Sequence, residues 1–249
     1  MPSKALSPIY ILVILLSCSN PNPKYPSSDI TIAGQLDWQK KLFFDRINQF
    51  KKNPIGKNKI VFLGNSIIQG GGDWNKRYNS DNIVNRGISG DFTNGILNRL
   101  EEIIFYEPTS IFLMIGINEF FTDNSKKPDI NPRYVAESIL KIANIIKKGS
   151  PRTKIFISTI LPINKEQYVK VKSVNYNFLQ EDYSPSINDQ VKETNLILKS
   201  NKAYTVVDLY SAFTNEDLKL KPSLSTDGVH LNNTGYDLWV QETIGIIKP

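Results

Sequence analysis

The chain has 249 residues, with 30 Lys and Arg against 24 Asp and Glu, a formal net charge of +6, one cysteine and one histidine. The lysines are scattered among acidic and apolar residues rather than bunched, which excludes a nucleic-acid patch as the organising feature. A lone cysteine also excludes an internal disulfide and a cysteine-rich metal site.

The first residues are typical of a processed targeting segment. Lys4 precedes an apolar run over 9–16 that is too short to span a bilayer as a helix. The run ends in Leu-Leu-Ser-Cys, which resembles the lipobox of bacterial lipoproteins. The resemblance implies a signal peptide over 1–18, a lipid on Cys18, and an exported protein anchored to a membrane in the periplasm or at the cell surface. A plain secretory signal with an incidental cysteine is the alternative.

The rest of the chain divides into a tether and one domain. Residues 19–34 are rich in Pro, Ser and Asn and predict a flexible tether. Residues 35–249 are enough for one domain with a full hydrophobic core.

Helical and strand patterns alternate along this domain. Apolar residues at helical spacing, beginning with Trp38, predict an amphipathic helix over 36–52 that ends before Pro54. Short apolar runs then predict strands, and helical patterns fall between them. The predicted strands are 59–63, 82–85, 110–115, 154–159 and 204–209, and the predicted helices are 93–106, 133–148, 187–201 and 235–247. The alternation predicts an α/β domain of three layers with a parallel sheet in the middle.

The chemically capable residues follow the ends of the predicted strands. Ser66 follows the first strand, Gly90 the second and Asn118 the third, while Asp227 and His230 follow the fifth. Open parallel sheets bind ligands beyond the carboxyl ends of their strands. We therefore expect these loops to share one edge of the sheet.

Together these residues could make a serine hydrolase. Ser66 would attack a carbonyl, the sole histidine, His230, would act as base and then acid, and Asp227 would orient the imidazole. The N–H groups of Ser66 and Gly90 and the carboxamide of Asn118 would form the oxyanion hole, with no cofactor and no metal. Each residue alone also fits a turn, a cap or an ordinary surface position, so the prediction rests on their combination.

Four blocks of the chain resemble those of the SGNH hydrolase superfamily, the GDSL-type esterases. They are residues 62–66, 86–91, 116–119 and 227–230, and the similarity runs from about Lys59 to the C-terminus. The resemblance implies a flavodoxin-like fold with a five-stranded sheet in the order 2-1-3-4-5, no metal, and the roles given above. Among members of the superfamily, the chain is similar to acetylesterases acting on sugars, including sialic acids, and to platelet-activating-factor acetylhydrolase.

Two positions depart from the superfamily's pattern. Asn65 stands before the serine where the namesake block has Asp, and Glu119 follows Asn118 where Asp is usual. Asn65 keeps one carbonyl acceptor but loses the charge. We expect the longer carboxylate of Glu119 to reach neighbouring backbone donors.

The long segment over 161–186 carries aromatic residues that could border a substrate. Tyr168 and Tyr176 from this segment, with Trp74 just after the nucleophile, are candidates for a wall on which a sugar stacks. The alternative is that these rings anchor loops to the core.

The sequence therefore predicts a lipid-anchored carboxylic-ester hydrolase that removes short acyl groups, acetyl above all, from carbohydrates. The expected partners are an acylated small molecule or glycan and, through the lipid anchor only, a membrane; no nucleic acid is expected. A lysophospholipase or general lipase, a transacylase and a noncatalytic carbohydrate-binding lipoprotein remain as alternatives.

Overall fold

The computed structural model describes residues 24–123 and 129–247. The predicted signal peptide and Cys18 lie outside the described residues. The described part of the predicted tether packs on the domain, because Tyr25 donates a hydrogen bond to Glu102 at 2.9 Å and Ile32 is buried. The domain therefore begins before the predicted boundary at residue 35.

Helices and strands alternate as the sequence pattern predicts. The strands are β1 (Ile60–Gly64), β2 (Ile83–Gly87), β3 (Ser110–Met114), β4 (Lys154–Ser158) and β5 (Thr205–Val207). The helices are α1 (Asp37–Lys52), α2 (Ser66–Gly70), α3 (Trp74–Tyr78), α4 (Thr93–Leu97), α5 (Glu101–Tyr106), α6 (Pro132–Gly149), α7 (Lys165–Lys172), α8 (Ile187–Ser200), α9 (Leu209–Phe213) and α10 (Asn233–Ile247). Short 3-10 turns lie at Ile117–Glu119, Asn177–Leu179 and Pro222–Leu224.

The five strands form one parallel sheet in the order β2-β1-β3-β4-β5, which confirms the predicted fold. Alternate residues of β1 and β3 face opposite layers, as the strand period of two requires. Val61 and Ile111 join the core under α4, α5, α6 and α8, whereas Phe62 and Phe112 join the core under α2, α3, α9 and α10. The protein is therefore a three-layer α/β domain with a core on each face of the sheet.

Local signals in the sequence set where the long helices begin. Asn131 caps α6 by accepting a hydrogen bond from the Tyr134 N–H at 3.0 Å, and Pro132 occupies the first turn, where its missing N–H costs nothing. Ser186 caps α8 through a reciprocal capping box with Asp189.

The register of the sheet brings three loops to one edge. Gly64 at the end of β1 pairs with Gly87 on β2 and with Met114 on β3. The carboxyl ends of these neighbouring strands are therefore level, and the chain leaves them towards Ser66, Gly90 and Asn118.

The structure differs from the prediction mainly in short elements. The predicted helix 93–106 is split into α4 and α5, and Asn98 at the break uses its side chain to donate to the Asn94 carbonyl at 2.7 Å. Helices α2, α3, α7 and α9 were not predicted, since segments of five to eight residues are too short for a helical period to stand out. Among the helices in the described ranges, none combines the length and apolar character needed to cross a membrane.

Candidate active site

Ser66 is the first residue of α2, directly after β1. The side chain of Asn65 caps this helix, because its Oδ1 accepts the Ile67 N–H at 3.0 Å. As the first helical residue, Ser66 has an N–H with no acceptor inside α2. The turn thus presents the Ser66 hydroxyl and N–H together at the edge of the sheet.

A hydrogen-bonded row connects Ser66, His230 and Asp227. The Ser66 Oγ lies 3.0 Å from His230 Nε2, and His230 Nδ1 lies 2.8 Å from Asp227 Oδ2. The other carboxylate oxygen, Oδ1, accepts the backbone N–H groups of Val229 and His230 at 3.0 and 2.8 Å. These bonds fix the carboxylate in the plane where it meets the imidazole.

The turn around Asp227 is held by Ser225. Its Oγ donates to the His230 carbonyl at 2.8 Å and accepts the Gly228 N–H at 2.7 Å. Gly228 has a φ of +89°, a conformation that glycine adopts without strain. The tight turn places the His230 ring within hydrogen-bond distance of the Asp227 carboxylate.

Asp227 is ionised at neutral pH. Burial favours a raised pKa for this carboxyl, but hydrogen bonds from the ring and backbone N–H of His230 and from Lys172 outweigh burial and hold the pKa well below its usual range. An ionised carboxylate only accepts hydrogen bonds, so Nδ1 of His230 carries a proton and Nε2 of the neutral ring accepts from Ser66. This tautomer is the one that removes a proton from a serine hydroxyl.

Gly90 lies in the loop after β2 with a φ of +75°. Its carbonyl accepts a hydrogen bond from the Gln39 side chain of α1 at 2.9 Å, and a Cβ at this position would lie 2.7 Å from the Trp38 ring. The neighbouring Ser89 N–H donates to Gln69 Oε1 of α2 at 2.7 Å. The glycine loop is thus tied both to the helix that carries Ser66 and to α1.

Asn118 lies in the 3-10 turn after β3 and contacts the same glycine loop. One N–H of its carboxamide donates to the Asp91 carbonyl at 2.7 Å, which leaves the second N–H of that group for another acceptor. Glu119 reaches the Thr93 N–H with its Oε1 at 2.6 Å. The prediction that this longer carboxylate reaches backbone donors is confirmed.

A buried ion pair between Arg99 and Asp91 connects the loops that carry Ser66 and Gly90. Arg99 and Asp91 lie 2.8 Å apart with both side chains almost fully buried. Arg99 also donates to the carbonyls of Gly64 and Arg86 at 3.1 and 3.0 Å. It therefore links the ends of β1 and β2 to the loop that carries Gly90. The sequence pattern gave no sign of this role, because a single arginine between Asn98 and Leu100 has no local signature.

The prediction that Trp74 borders the substrate is wrong. Its side chain is 1 % exposed, its indole N–H donates to the Ile68 carbonyl at 3.0 Å, and its ring packs on Phe62 and Trp239. Trp74 is a core residue, since α10 covers it from the opposite end of the chain.

The other predicted wall residues, Tyr168 and Tyr176, belong to one aromatic row. Tyr168 packs edge-on against Phe121 at 5.4 Å, Phe121 contacts Phe178 at 6.3 Å, and Tyr176 stacks on Phe178 at 5.1 Å. Tyr168 is half-buried and Tyr176 is exposed. Their contact with a substrate stays a prediction.

An open cavity of about 370 Å³ lies beside Asn118. Leu36, Gln39, Phe92, Phe121 and Tyr134 are among the residues that line it. Trp38, which the sequence pattern assigned to the apolar face of α1, is instead 54 % exposed next to Gly90. Sequence reasoning missed this side of the site, because the helical spacing of Trp38 is that of a core residue.

The described residues contain no group of three or more His, Cys, Asp or Glu side chains arranged to hold a metal ion. The groups gathered around Ser66 are a hydroxyl, an imidazole held by a carboxylate, and N–H donors. The arrangement can therefore carry out acyl transfer through a serine hydroxyl.

Comparison with known proteins agrees with this chemistry. The model of the GDSL-like lipase/acylhydrolase family matches residues 62–238. The curated GDSL esterase/lipase WDL1 of Oryza sativa subsp. japonica is 25 % identical over 213 residues, which cover 78 % of this chain and 78 % of that protein.

Solved structures share the fold. A GDSL-like lipase from Bacteroides thetaiotaomicron is 20 % identical with a TM-score of 0.62, and the match covers 82 % of this chain and 97 % of that one. An acetyl xylan esterase is 18 % identical with a TM-score of 0.57, covering 76 % of this chain and 99 % of that one. With the family match extending over Ser66, Gly90, Asn118 and the Asp227–His230 turn, this chain belongs to the GDSL-like lipase/acylhydrolase family.

Proposed function

We propose that this protein is a serine esterase that removes short acyl groups, acetyl above all, from carbohydrate esters. The observation that carries the proposal is the row of hydrogen bonds from Ser66 Oγ through His230 to Asp227. A hydroxyl placed 3.0 Å from an unprotonated imidazole nitrogen can lose its proton as it attacks a carbonyl carbon.

The reaction proceeds in two halves. In the first, the Ser66 Oγ bonds to the ester carbonyl carbon and its proton moves to His230 Nε2. The oxyanion that forms accepts hydrogen bonds from the N–H groups of Ser66 and Gly90 and from the free N–H of Asn118. The bond to the alcohol oxygen then breaks, and His230 returns the proton to that oxygen.

In the second half, water attacks the acyl-serine and gives its proton to His230. Collapse of the second tetrahedral intermediate releases the carboxylic acid and returns the proton to Ser66 Oγ. Asp227 stays ionised throughout and stabilises the imidazolium that forms twice in each cycle. If a sugar hydroxyl replaces the water, the same site performs transacylation.

Two features favour a carbohydrate ester. The cavity beside Asn118 is open and mixes aromatic rings with polar side chains, which suits a sugar ring better than a long acyl chain. One structural neighbour is named an acetyl xylan esterase and another an acetyl-xylooligosaccharide esterase.

Hydrolysis of p-nitrophenyl acetate, butyrate and octanoate tests the reaction and the chain length together, and release of acetate from acetylated xylooligosaccharides tests the substrate class. We expect rates that fall with chain length and that vanish in Ser66→Ala and His230→Ala while both variants stay folded. Activity retained in either variant would refute the catalytic roles. A preference for octanoate would identify a lipase, and a glycan that binds without losing its acetyl groups would identify a binding protein.

We further propose that the protein is exported and anchored through a lipid on Cys18, on the basis of the Leu-Leu-Ser-Cys motif alone. Cys18→Ser should move the protein from the membrane fraction to the soluble fraction without changing turnover of a soluble ester. An unchanged distribution would count against the anchor.

A further inference from the structure

Helix α7 contacts the turn that carries Asp227 at both of its ends. At its start, the Asn164 N–H donates to the Gly228 carbonyl at 2.7 Å, and the Asn164 side chain caps the helix. At its end, Lys172 Nζ lies 2.9 Å from Asp227 Oδ2. A Cβ on Gly228 would collide with backbone atoms of Asn164 and Tyr168, so the helix rests directly on the turn.

Core packing accounts for only part of the position of α7. None of its residues is fully buried, and only Tyr168 and Val169 pack against the edge of the hydrophobic core. Its other polar contacts include those from Glu166 to Lys219 at 2.8 Å, from Lys165 to Glu181 at 3.3 Å and from Gln167 to the Ser225 carbonyl at 3.5 Å. The contacts with the Asp227 turn are the ones that connect this helix to the candidate active site.

Lys172 and His230 share one oxygen atom. The ring nitrogen Nδ1 of His230 is 2.8 Å from Asp227 Oδ2, and the Lys172 ammonium is 2.9 Å from the same atom. Asp227 is almost fully buried, whereas the Lys172 side chain is 42 % exposed. Two positive partners thus compete for one carboxylate oxygen whenever the imidazole is protonated.

We propose that Lys172 is a positioning residue of the triad, which holds the Asp227 carboxylate and disfavours the protonated form of His230, so that the base is available at lower pH. This inference rests on the proposed function. A neutral imidazole beside the Lys172–Asp227 pair adds no charge to it, but an imidazolium leaves a net positive charge in the group. Repulsion between the two cations makes protonation of the ring less favourable than in a site with a carboxylate alone.

Few other titratable groups among the described residues face this cluster. Asp227 interacts with His230 from its own turn and with Lys172 from α7. Tyr168 of α7 interacts with both Lys172 and Asp227, and burial raises the pKa of its phenol, so it stays neutral through the range of the test. A pH effect in this range is therefore carried by Asp227, Lys172 and His230.

The single histidine of the chain makes the test direct. NMR of the untagged full chain follows the carbon-bound protons of the imidazole ring from pH 4.5 to 9. This measurement does not require the protein to have enzymatic activity. In Lys172→Met, which keeps length and removes charge, the midpoint of the titration should rise by about 0.5–1 pH unit, the size expected for a partly exposed charge at short range. Lys172→Arg should restore the wild-type midpoint, and Lys172→Gln provides a second neutral variant.

Lys219→Met is the matched control. It removes a lysine of similar exposure from an ion pair of similar length, which is formed with Glu166 of α7 and does not involve Asp227. The midpoint should stay within about 0.2 pH unit of the wild type, since this charge lies outside the shared-oxygen group. An equal rise in Lys172→Met and Lys219→Met would show only a general charge effect and would overturn the proposal, as would no rise in Lys172→Met.

Kinetics separate this inference from the proposed function. The acidic limb of kcat/KM for p-nitrophenyl acetate should move up in pH with the NMR midpoint, so that the Lys172→Met rate at pH 6 falls about three- to tenfold relative to wild type. A wild-type protein without esterase activity would refute the proposed function, while the NMR midpoint would still decide the role of Lys172. An active Lys172→Met variant with unchanged midpoint and limb would refute the inference alone.

Discussion

The buried carboxyl of Glu119 should make the free energy of unfolding depend on pH in a direction opposite to that of most acidic residues. Burial raises the pKa of Glu119 from 4.5 to about 7, against the hydrogen bond from the Thr93 N–H, and the nearby charge of Asp91 adds to the rise. Within the described residues, the Oε2 of this carboxyl is buried without a hydrogen-bond partner. At a pH between 4.5 and about 7, the Glu119 carboxyl is therefore protonated in the folded protein but ionised in the unfolded chain.

The sign and size follow from proton linkage. Between pH 4.5 and about 7 the folded state binds more protons than the unfolded state, so stability falls as the pH rises. The difference between these two pKa values corresponds to about 3 kcal/mol in total, most of which develops between pH 5 and pH 8. Glu119→Gln keeps a carbonyl acceptor for Thr93 and removes the titration.

Urea unfolding of wild type and Glu119→Gln at several pH values from 5 to 8 measures the contribution of Glu119 to the pH dependence of the free energy of unfolding. The other titratable groups are the same in both proteins, so the difference in free energy of unfolding isolates Glu119. We expect the free energy of unfolding of the variant to gain about 2–3 kcal/mol on that of the wild type across this range, and that of Glu242→Gln, an exposed change on α10, to gain almost nothing. A difference between wild type and Glu119→Gln that stays constant with pH would refute the reasoning.

Three further substitutions probe the site. Asn65→Ala removes the side chain that caps α2 and should lower the free energy of unfolding by about 1 kcal/mol, measured by urea unfolding, with a drop in kcat because Ser66 follows directly. Gly228→Ala places a side chain at a φ of +89° and against Asn164, so Tm and kcat should fall together, and an unchanged Tm would contradict the packing described here. Trp38 is exposed beside Gly90, where its ring could contact a sugar. Trp38→Ala should therefore raise KM for an acetylated oligosaccharide more than KM for p-nitrophenyl acetate, and equal effects on both esters would exclude Trp38 as a contact for the sugar.

The sheet and the row of Ser66, His230 and Asp227 could be predicted because their signals are local. Apolar strand runs, helix caps and the position of each polar residue after a strand all depend on near neighbours in the chain, and parallel strands bring their carboxyl ends together whatever lies between. The prediction of the sheet order also needed the resemblance to a known superfamily.

The surroundings of the site depend on contacts that no local pattern records. Trp74 is buried because Trp239 packs on it at 5.5 Å from a helix near the other end of the chain. Trp38 has the spacing of a core residue yet lies exposed beside Gly90, because that loop leaves its outer face open. Lys172 stands in a charged stretch without apolar periodicity, and its partner Asp227 belongs to a turn far along the sequence.

Helix α10, which follows His230, is hydrogen-bonded to helix α2, which carries Ser66. The Tyr236 hydroxyl of α10 donates to the Ile67 carbonyl at 2.8 Å, and Thr243 of α10 is hydrogen-bonded to Tyr78 of α3. Ser66 and His230 are 164 positions apart, and such a distant pairing forms only after a large loop has closed. Activity therefore requires that this loop has closed, so a recovery of esterase activity during refolding reports on the formation of this long-range contact.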